Sequence, residues 1–539
     1  MVPVQLLLAL LLPLTAVAQF AGLRAHTQEG REARSNHKIY QETRRQLEEQ
    51  YDFMKRWQND TYRYKSDKTE PFLVTSLPFV DWDFGELYAG LIPITNNNSE
   101  ALFFIFAPKV GDPVDEVTIW LNGGPGCSSQ EGFWQENGPI IWRAATYQPV
   151  PNPYSWNNLT NMLYVDQPIG TGFSIGTVTA KSQEDIADNF VTWFKNFQDT
   201  FGIKNNKIHI TGESYAGRYV PYISAAMLNQ NNTENYDLQG ALVYDPCIGE
   251  FASGQAMNTV PHIQKYAELW GFNDTYMNEL AQQQEACGWN DYINTYLTFP
   301  PPGNQPEMYV NYSNPANWSC AFDQLVFYEV FDINACFNPY SINDRCPIPF
   351  DPLGMPGDFE YTPAGAFVYP NRDDVKQAIH APMNVNWSLC GVSPAVFVGD
   401  GGPQQGENDE SADPIQHVLP QVIEATNRVL VSNGDFDSVI LTNTTLLAIQ
   451  NMTWNGQLGF QSAPNESFVV TEADVQWTTV FDESGLNGLN GPQGVIGVQH
   501  YERGLMWVQT FMAGHMQPEF QPRAAYKHLE WVLGRIDQF

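Results

Sequence analysis

Residues 207–222 read KIHITGESYAGRYVPY, and this stretch predicts a strand, a tight turn and a helix in succession. The apolar run before Gly212 is typical of a buried strand, and the residues after Ser214 follow a helical pattern. A serine in such a turn needs small neighbours so that its hydroxyl group projects from the sheet, and Gly212 and Ala216 meet that need. Ser214 is therefore a candidate nucleophile. The alternative is a glycine-rich turn that contains a serine by chance.

Strands and helices alternate along much of the chain. Apolar runs that do not alternate with polar residues are typical of strands buried on both faces, and four of them are ELYAGLIPI, ALFFIFAP, VTIWLNG and NMLYVDQP. Helices are predicted over residues 182–197, directly after the serine turn, and at the C-terminus. This order favours the α/β class, with helices flanking a mostly parallel central sheet.

The composition of the chain divides it further. Residues 19–70 are strongly charged and predict a helical N-terminal arm or a removable pro-segment. The hydrolase domain is expected in two parts, residues 71–249 and 366–539. Between them, residues 250–365 are rich in Pro, Asn, Tyr and Cys, which indicates a cap insertion stapled by disulfides rather than more sheet.

The N-terminus has the pattern of a secretory signal peptide over residues 1–18, with cleavage near Gln19. A membrane anchor is the alternative, but the apolar run is short for a membrane span and Pro13 interrupts it. We therefore expect secretion, and delivery to a vacuole or another acidic compartment is also compatible with this signal. Asn-x-Ser/Thr motifs agree with that route. These candidate glycosylation sites are Asn59, Asn97, Asn158, Asn231, Asn273, Asn311, Asn317, Asn386, Asn443, Asn451 and Asn465.

The chain is strongly acidic, with 27 basic and 60 acidic residues and a formal net charge of −33. This charge argues against nucleic acid and against a membrane surface as partners. It falls toward zero as carboxylates protonate, which suits acidic surroundings. None of the seven cysteines has the Cys-x-x-Cys spacing of a metal or redox site, so no metal and no cofactor are expected. Their odd number predicts three bridges and one free thiol.

Partners for the serine are expected downstream, because hydrolases of this fold place the acid and then the histidine after the nucleophile. The predicted strand RVLVSNGDFD ends with Asp435 and Asp437. Either aspartate could be the acid that orients the histidine, and spacing alone does not distinguish them. His515 lies in MAGHMQP, where Gly514 and Pro518 favour a loop over a helix face. A single histidine is more often structural, and this loop position is what distinguishes His515 from the others.

Five motifs, in their order along the chain, resemble those of the serine carboxypeptidase family, in particular its secreted fungal members. The motifs are WLNGGPGCSS (120–129), DQPIGTGFS (166–174), GESYAG (212–217), NGDFD (433–437) and AGHMQP (513–518). Members of this family have an α/β-hydrolase fold and remove single residues from the C-termini of peptides and proteins. The resemblance implies Ser214 as nucleophile, Asp437 as the acid that orients the histidine, and His515 as the base.

The resemblance also implies how the substrate is held. The backbone N–H groups of Gly124 and Tyr215 would form the oxyanion hole, and glycine at the first position permits close approach of the backbone. The residues implied in binding the free α-carboxylate of the substrate are Asn122, Gly123, Glu136 and Glu213.

Binding a carboxylate with Glu213 requires protonated carboxyl groups, because ionised ones would repel the substrate. Crowded carboxyl groups raise one another's pKa and can then donate hydrogen bonds, so we expect an acid pH optimum. The joint presence of Asn122, Glu136 and Glu213 favours a peptidase over an acyltransferase on the same scaffold. A lipase or esterase would leave Glu213 without a partner on the substrate. A non-catalytic binding protein of this fold would typically lack a member of the triad.

The resemblance further implies a disulfide between Cys127 and Cys390, which would tie the oxyanion loop to the second half of the chain. Three pairings are possible among Cys287, Cys320, Cys336 and Cys346. Nested pairs are the expectation. Cys247 is then the free thiol, expected to be buried and inert.

Two residues after the histidine, Gln517 and Phe520, depart from the family pattern. These positions line or support the site, so the departure indicates an unusual specificity without touching the triad. The insertion shows no clear match either, and the preferred side chain at the cleaved residue is therefore not predicted.

Overall fold

A computed structural model of the chain describes residues 62–95, 99–144, 146, 148–307, 310, 319–346, 350–354, 367–391, 396–399, 408–470 and 494–539. These residues belong to one compact unit, Thr61–Asp474 with Gly491–Phe539. The predicted signal peptide and most of the charged arm lie outside the described residues, as do the sequons at Asn59, Asn97, Asn311 and Asn317.

A ten-stranded sheet forms the centre of this unit. Its strands are β1 (Tyr88–Pro93), β2 (Ala101–Ala107), β3 (Glu116–Leu121), β4 (Asn161–Asp166), β5 (Lys207–Glu213), β6 (Asp237–Tyr244), β7 (Val429–Gly434), β8 (Glu466–Val470), β9 (Gly494–Glu502) and β10 (Leu505–Thr510). Their order across the sheet is β1-β2-β4-β3-β5-β6-β7-β10-β9-β8. The central pairings from β4 to β10 are parallel, and the two pairings at each edge are antiparallel. The predicted sheet is confirmed.

Helices cover the sheet and build the insertion. They are α1 (Gln183–Phe201), α2 (Ala216–Asn229), α3 (Phe251–Lys265), α4 (Ala267–Trp270), α5 (Asp274–Ala286), α6 (Trp289–Tyr296), α7 (Phe322–Ile333), α8 (Asp373–Ala378), α9 (Val418–Thr426), α10 (Thr442–Gln450), α11 (Gln517–Phe520) and α12 (Pro522–Val532). No helix among the residues that the structure describes is long and apolar enough to cross a membrane.

Helix α1 illustrates how the core is made. Its buried aromatic residues pack on strand β2, where Phe197 and Phe201 both contact Phe104 and Phe106 edge to face. The helix therefore continues one turn beyond the predicted end at Phe197. It stops at Gly202, whose φ of 71° is the left-handed conformation that commonly ends helices.

The insertion is helical, and its disulfides correct the expected pairing. The bonds join Cys287 to Cys320 and Cys336 to Cys346, so the pairs are sequential rather than nested. Helix α7 gives the physical reason, because it separates Cys320 from Cys336 and a 12-residue helix is about 18 Å long. Each observed pair instead has Cα atoms within 5.9 Å. These helices share a second apolar core that includes Met257, Trp270 and Val330.

The carboxyl ends of the parallel strands lie at one edge of the sheet. Ser214 directly follows β5, Asp437 follows β7 and His515 follows β10. Because neighbouring parallel strands end on the same side, residues distant in sequence meet here. The candidate active site is at this edge.

Candidate active site

Ser214 occupies a strained turn between β5 and α2. Its φ is +62°, an uncommon conformation for a residue other than glycine. The backbone N–H of Ser214 donates to the carbonyl of Tyr244 at 2.8 Å, and the N–H of Cys247 donates to the carbonyl of Ser214 at 3.1 Å. A Cβ atom at Gly123 would lie 2.7 Å from Ser214 Cβ, so only glycine allows the neighbouring loop to approach this turn. The predicted strand, turn and helix are present.

Asp437 and His515 form a buried pair. His515 Nδ1 lies 2.7 Å from Asp437 Oδ2. Asp437 also accepts hydrogen bonds from the backbone N–H groups of Val439 at 2.7 Å and Ile440 at 3.1 Å. The carboxylate thus holds a proton on Nδ1, which leaves Nε2 as the basic nitrogen. Nε2 is buried and has no hydrogen-bond partner in the described structure.

Asp435 lies in a different environment. Its carboxylate accepts hydrogen bonds from the Tyr266 hydroxyl at 2.9 Å and from the Met512 N–H at 2.6 Å. It therefore fastens the turn to the insertion and to the loop after β10. Of the two aspartates that spacing left open, Asp437 is the one that contacts the imidazole.

Two backbone donors beside the serine are unused. Neither the N–H of Gly124 nor that of Tyr215 makes a hydrogen bond within the described residues. Gly124 has a φ of +107°, which side chains disfavour. The Cys127–Cys390 disulfide, implied by the resemblance, is present and anchors this loop. A pair of free, oriented N–H groups is what an oxyanion hole requires.

The side chain of Tyr215 is fixed by residues that no sequence motif indicated. Its hydroxyl donates to Asp409 Oδ2 at 2.6 Å, and Gln183 Nε2 donates to the same oxygen at 3.0 Å. Asp409 also accepts from the N–H and the hydroxyl of Ser411. Asp409 belongs to an acidic loop without a motif, so no signal in the sequence pointed to it.

A cluster of buried carboxyl groups surrounds Asn122. Asn122 Nδ2 donates to Glu213 Oε1 at 2.8 Å and to Glu131 Oε2 at 3.1 Å, and its Oδ1 accepts from Trp120 Nε1 at 2.7 Å. Both oxygens of Glu136 and one oxygen each of Glu213 and Glu131 are buried without a donor among the described groups. Such crowding is stable only if the carboxyl groups carry protons.

The pKa values of the cluster agree with that requirement. Burial raises the pKa of Glu136 to about 8. Burial, reinforced by the charge of Glu136, also raises the pKa values of Glu213 and Glu131 well above the usual range. Carboxyl groups whose pKa values are raised in this way keep their protons to higher pH, and in that form they can donate hydrogen bonds to an anion.

Glu131 was not predicted. It directly precedes a π-helix, Gly132–Glu136, whose hydrogen bonds join residues five apart, as between Asn137 N–H and Gly132 carbonyl. Residues five apart thus share a face, which brings Glu131 beside Glu136. An α-helical spacing would have separated them, so no sequence pattern groups the two residues.

Cys247 is the cysteine outside the disulfides. It is half-buried rather than fully buried, and burial raises the pKa of its thiol to about 12. Among the described sequons, the exposed asparagines are Asn231, Asn273, Asn386 and Asn465, and those with intermediate exposure are Asn158, Asn443 and Asn451.

The architecture is that of an α/β-hydrolase with a serine at the strand-to-helix turn. Comparison with known proteins narrows the class, because the serine carboxypeptidase family matches residues 78–535. The chain belongs to this family and is a serine-type carboxypeptidase, which acts on peptides.

Individual relatives support the same family assignment. The chain is 58% identical over 480 residues to serine-type carboxypeptidase F of Aspergillus niger, covering 89% of each chain. It is 41% identical over 485 residues to a probable serine carboxypeptidase of Arthroderma benhamiae, covering 87% of each. Its fold is similar to the crystal structure of a prohormone-processing carboxypeptidase from Saccharomyces cerevisiae, with a TM-score of 0.64, 21% identity, and coverage of 87% of this chain and 96% of that one.

Proposed function

We propose that this carboxypeptidase releases single C-terminal residues through Ser214, His515 and Asp437, and that it recognises the substrate carboxylate with protonated carboxyl groups in acid. His515 Nε2 takes the proton of Ser214 as the hydroxyl attacks the last peptide carbonyl, and gives it to the leaving amine. Water then cleaves the acyl–Ser214 ester, with Nε2 taking the water proton and returning it to the serine. Asp437 holds the tautomer and stabilises the imidazolium that forms. Support comes from the 2.7 Å contact between His515 Nδ1 and Asp437 Oδ2 and from the unpartnered Nε2.

The N–H groups of Gly124 and Tyr215 stabilise the negative charge that develops on the carbonyl oxygen. Both groups are free to donate in the described structure, and the disulfide at Cys127 limits the movement of the loop that contains Gly124. A preorganised donor pair of this kind lowers the barrier more than flexible donors, because no reorganisation is needed during reaction.

The observation that carries the specificity for a free C-terminus is the buried carboxyl cluster next to Ser214. Asn122 holds Glu213 in place, and Glu136 presents two oxygens that have no donor. With protons on these groups, Glu213 and Glu136 donate to the substrate carboxylate while Gly123 provides close backbone contact. As the pH rises and the cluster ionises, it repels the carboxylate, so peptide binding weakens on the alkaline side.

The protein is proposed to act in an acidic compartment that it reaches by the secretory route. Exposed sequon asparagines and three disulfides support passage through an oxidising compartment. The formal charge of −33 supports solubility over a range of acid pH, where part of this charge is neutralised.

The test compares Glu213→Ala with the wild type on an N-blocked dipeptide and on the same dipeptide with a C-terminal amide or ester, at acid pH. We expect kcat/KM for the free dipeptide to fall roughly 10- to 150-fold, because a hydrogen bond to a charged group contributes about 1.5–3 kcal/mol. Activity on the ester should change little. The matched control is Glu116→Gln. Glu116 is a buried carboxyl residue on strand β3, and it forms an ion pair with Arg535. Equal losses on both substrates would contradict the proposed carboxylate site.

The alternative is an acyltransferase on the same scaffold, which would use the same triad with another acceptor than water. It predicts transfer of the acyl group to an alcohol or amine in preference to hydrolysis. Release of free amino acid from the blocked dipeptide, measured without added acceptor, distinguishes the two activities.

A further inference from the structure

Asp245 is a buried acid at the same edge of the sheet, and the proposed mechanism does not use it. It directly follows strand β6 and is fully buried. Its φ is +41°, a left-handed conformation that non-glycine residues adopt rarely and that is often retained at functional sites. Oδ1 accepts a hydrogen bond from the Gly434 N–H at 2.8 Å, and Oδ2 accepts one from Gln517 Nε2 at 2.7 Å.

The carboxyl group of Asp245 contacts the triad. One oxygen of Asp245, one of Asp437 and one ring nitrogen of His515 all lie within 4.8 Å of one another. The two buried carboxyl groups are thus close neighbours. Neither forms an ion pair with a lysine or arginine within the described residues. Two buried carboxyl groups this close, with no lysine or arginine of the described residues between them, are more stable sharing a proton than both ionised.

The donors around each group indicate which one carries the proton. Asp437 accepts from His515 Nδ1 and from two backbone N–H groups, and its negative charge is thereby stabilised. Asp245 accepts from two donors, and the amide of Gln517 that supplies one of them is itself fixed by Ser432 Oγ at 2.8 Å. The charge is therefore better accommodated on Asp437, and the proton on Asp245.

We propose that Asp245 is a positioning residue of this enzyme, which stays protonated and donates a hydrogen bond to Asp437. This bond holds the Asp437 carboxylate against His515 and withdraws part of its negative charge. A less negative carboxylate stabilises the imidazolium less, so His515 remains a neutral base at lower pH. The inference rests on the proposed triad and assigns a fourth side chain to it.

Other titratable groups face this pair. Glu213 at the end of β5 and Tyr244 at the end of β6 lie within electrostatic reach of Asp245, and Cys247 and His262 are within reach of Asp437. Burial and the Asp437 charge raise the pKa of Asp245 well above its usual range. Burial also raises the pKa values of Glu213 and Cys247, which favours their neutral forms in acid, and it lowers the pKa of His262 to about 4.

The experiment measures the pH dependence of inactivation by an organophosphate and of hydrolysis of an N-blocked ester. Neither reagent has a free carboxylate, so ionisation of the Glu136–Glu213 cluster does not enter through substrate binding. The variants are Asp245→Asn, which keeps a donor to Asp437, and Asp245→Ala, which removes it. In Asp245→Asn, an N–H group replaces the oxygen that accepts from Gln517 Nε2. Rotation of the Gln517 side-chain amide turns its oxygen toward this N–H and provides the acceptor that it needs. Asp166→Asn, at a buried carboxyl bound to Ser128 and Gln130, is the control.

We expect Asp245→Ala to move the acid limb of both profiles up by about one pH unit, since a charge-assisted hydrogen bond is worth roughly that much. Asp245→Asn and Asp166→Asn should leave the acid limb within about 0.3 unit of the wild type on the same scale. An unchanged limb in Asp245→Ala, or equal shifts in both Asp245 variants, would overturn the proposal. Loss of activity on dialysis against EDTA would also overturn it, because a cation would then bridge the carboxylates.

If Asp245→Ala does not fold, thermal unfolding of Asp245→Asn still tests whether Asp245 carries a proton in the folded enzyme. A proton held by Asp245 stabilises the folded state at low pH, and this stabilisation is lost as the pH rises. The Tm of Asp245→Asn minus the Tm of the wild type should therefore increase from pH 4 to pH 8. A constant difference would contradict the assignment of a proton to Asp245.

Ser214→Ala separates this proposal from the proposed function. Organophosphate labelling that persists in Ser214→Ala would refute the nucleophile itself. If Ser214→Ala loses the labelling and the Asp245 variants leave the acid limb of the pH profile unchanged, only the role of Asp245 is refuted.

Discussion

The buried Glu136 carboxyl group makes the stability of this enzyme depend on pH in a defined direction. Its side chain is 1% exposed, and burial raises its pKa from 4.5 to about 8. A carboxyl group with a raised pKa binds its proton more tightly in the folded state than in the unfolded state. Its contribution to stability is therefore full below the unfolded pKa and is lost as the pH rises through about 8. Replacing it with Gln, which does not ionise, should remove this dependence.

The size of the effect follows from the shift. Each pKa unit corresponds to about 1.4 kcal/mol, so the shift of Glu136 is worth on the order of 5 kcal/mol over the whole pH range and roughly 3 kcal/mol between pH 5 and pH 8. A chain of this length has an unfolding entropy near 1 kcal/mol per kelvin, from about 2 cal/mol/K per residue. The expected change in Tm is therefore about 3 °C.

The measurement is thermal unfolding of the wild type and of Glu136→Gln between pH 5 and pH 8, at one scan rate because large disulfide-bonded proteins unfold irreversibly. The wild type should lose stability over this range, and Glu136→Gln should lose about 3 °C less. Glu234→Gln is the control, since that side chain is 59% exposed and should follow the wild type. Parallel curves for the wild type and Glu136→Gln would refute the assignment of a proton to Glu136.

Two further predictions concern residues around the serine turn. Cys247 should resist iodoacetamide at pH 7 in the folded enzyme and react after unfolding, because a thiol with a pKa near 12 is almost entirely protonated; rapid labelling of the folded enzyme, measured by mass spectrometry, would contradict this. Tyr215→Phe removes the hydrogen bond to Asp409 and should lower kcat about 3- to 10-fold on peptide and ester alike, with little change in KM, since a hydrogen bond contributes about 1 kcal/mol. Tyr222→Phe, which loses a bond to the Ala412 carbonyl, is its control, and equal effects of the two variants would mean that Asp409 does not position the turn.

Much of the fold could be predicted because its signals are local. Strands β2, β3, β4 and β7 are buried along their whole length, and such strands appear in sequence as short runs rich in apolar residues. The small residues beside Ser214 likewise predicted the turn. These features depend on residues that are neighbours in the chain, so a single sequence contains them.

The parts that were missed depend on contacts between distant residues. Asp245 meets Gly434 across 189 residues and Gln517 across 272, and no local pattern connects these positions. Glu131 was missed because the π-helix changes the spacing that brings side chains together. The pairing within the insertion was wrong because sequence order does not show that helix α7 separates two of the cysteines.

Substrate binding and stability depend on the same protons at this site. The formal charge of −33 counts Glu131, Glu136, Glu213 and Asp245 as ionised, yet burial raises the pKa of every one of them. In acid these groups are neutral, so the folded state carries no repulsion there and the carboxyl cluster can donate to an incoming carboxylate. A rise in pH removes both advantages together. A substitution that keeps a permanently neutral donor at Glu136 or Glu213 should therefore extend both stability and peptide binding toward alkaline pH, whereas substitution by Ala removes the pH dependence of stability and also the donor that binds the peptide.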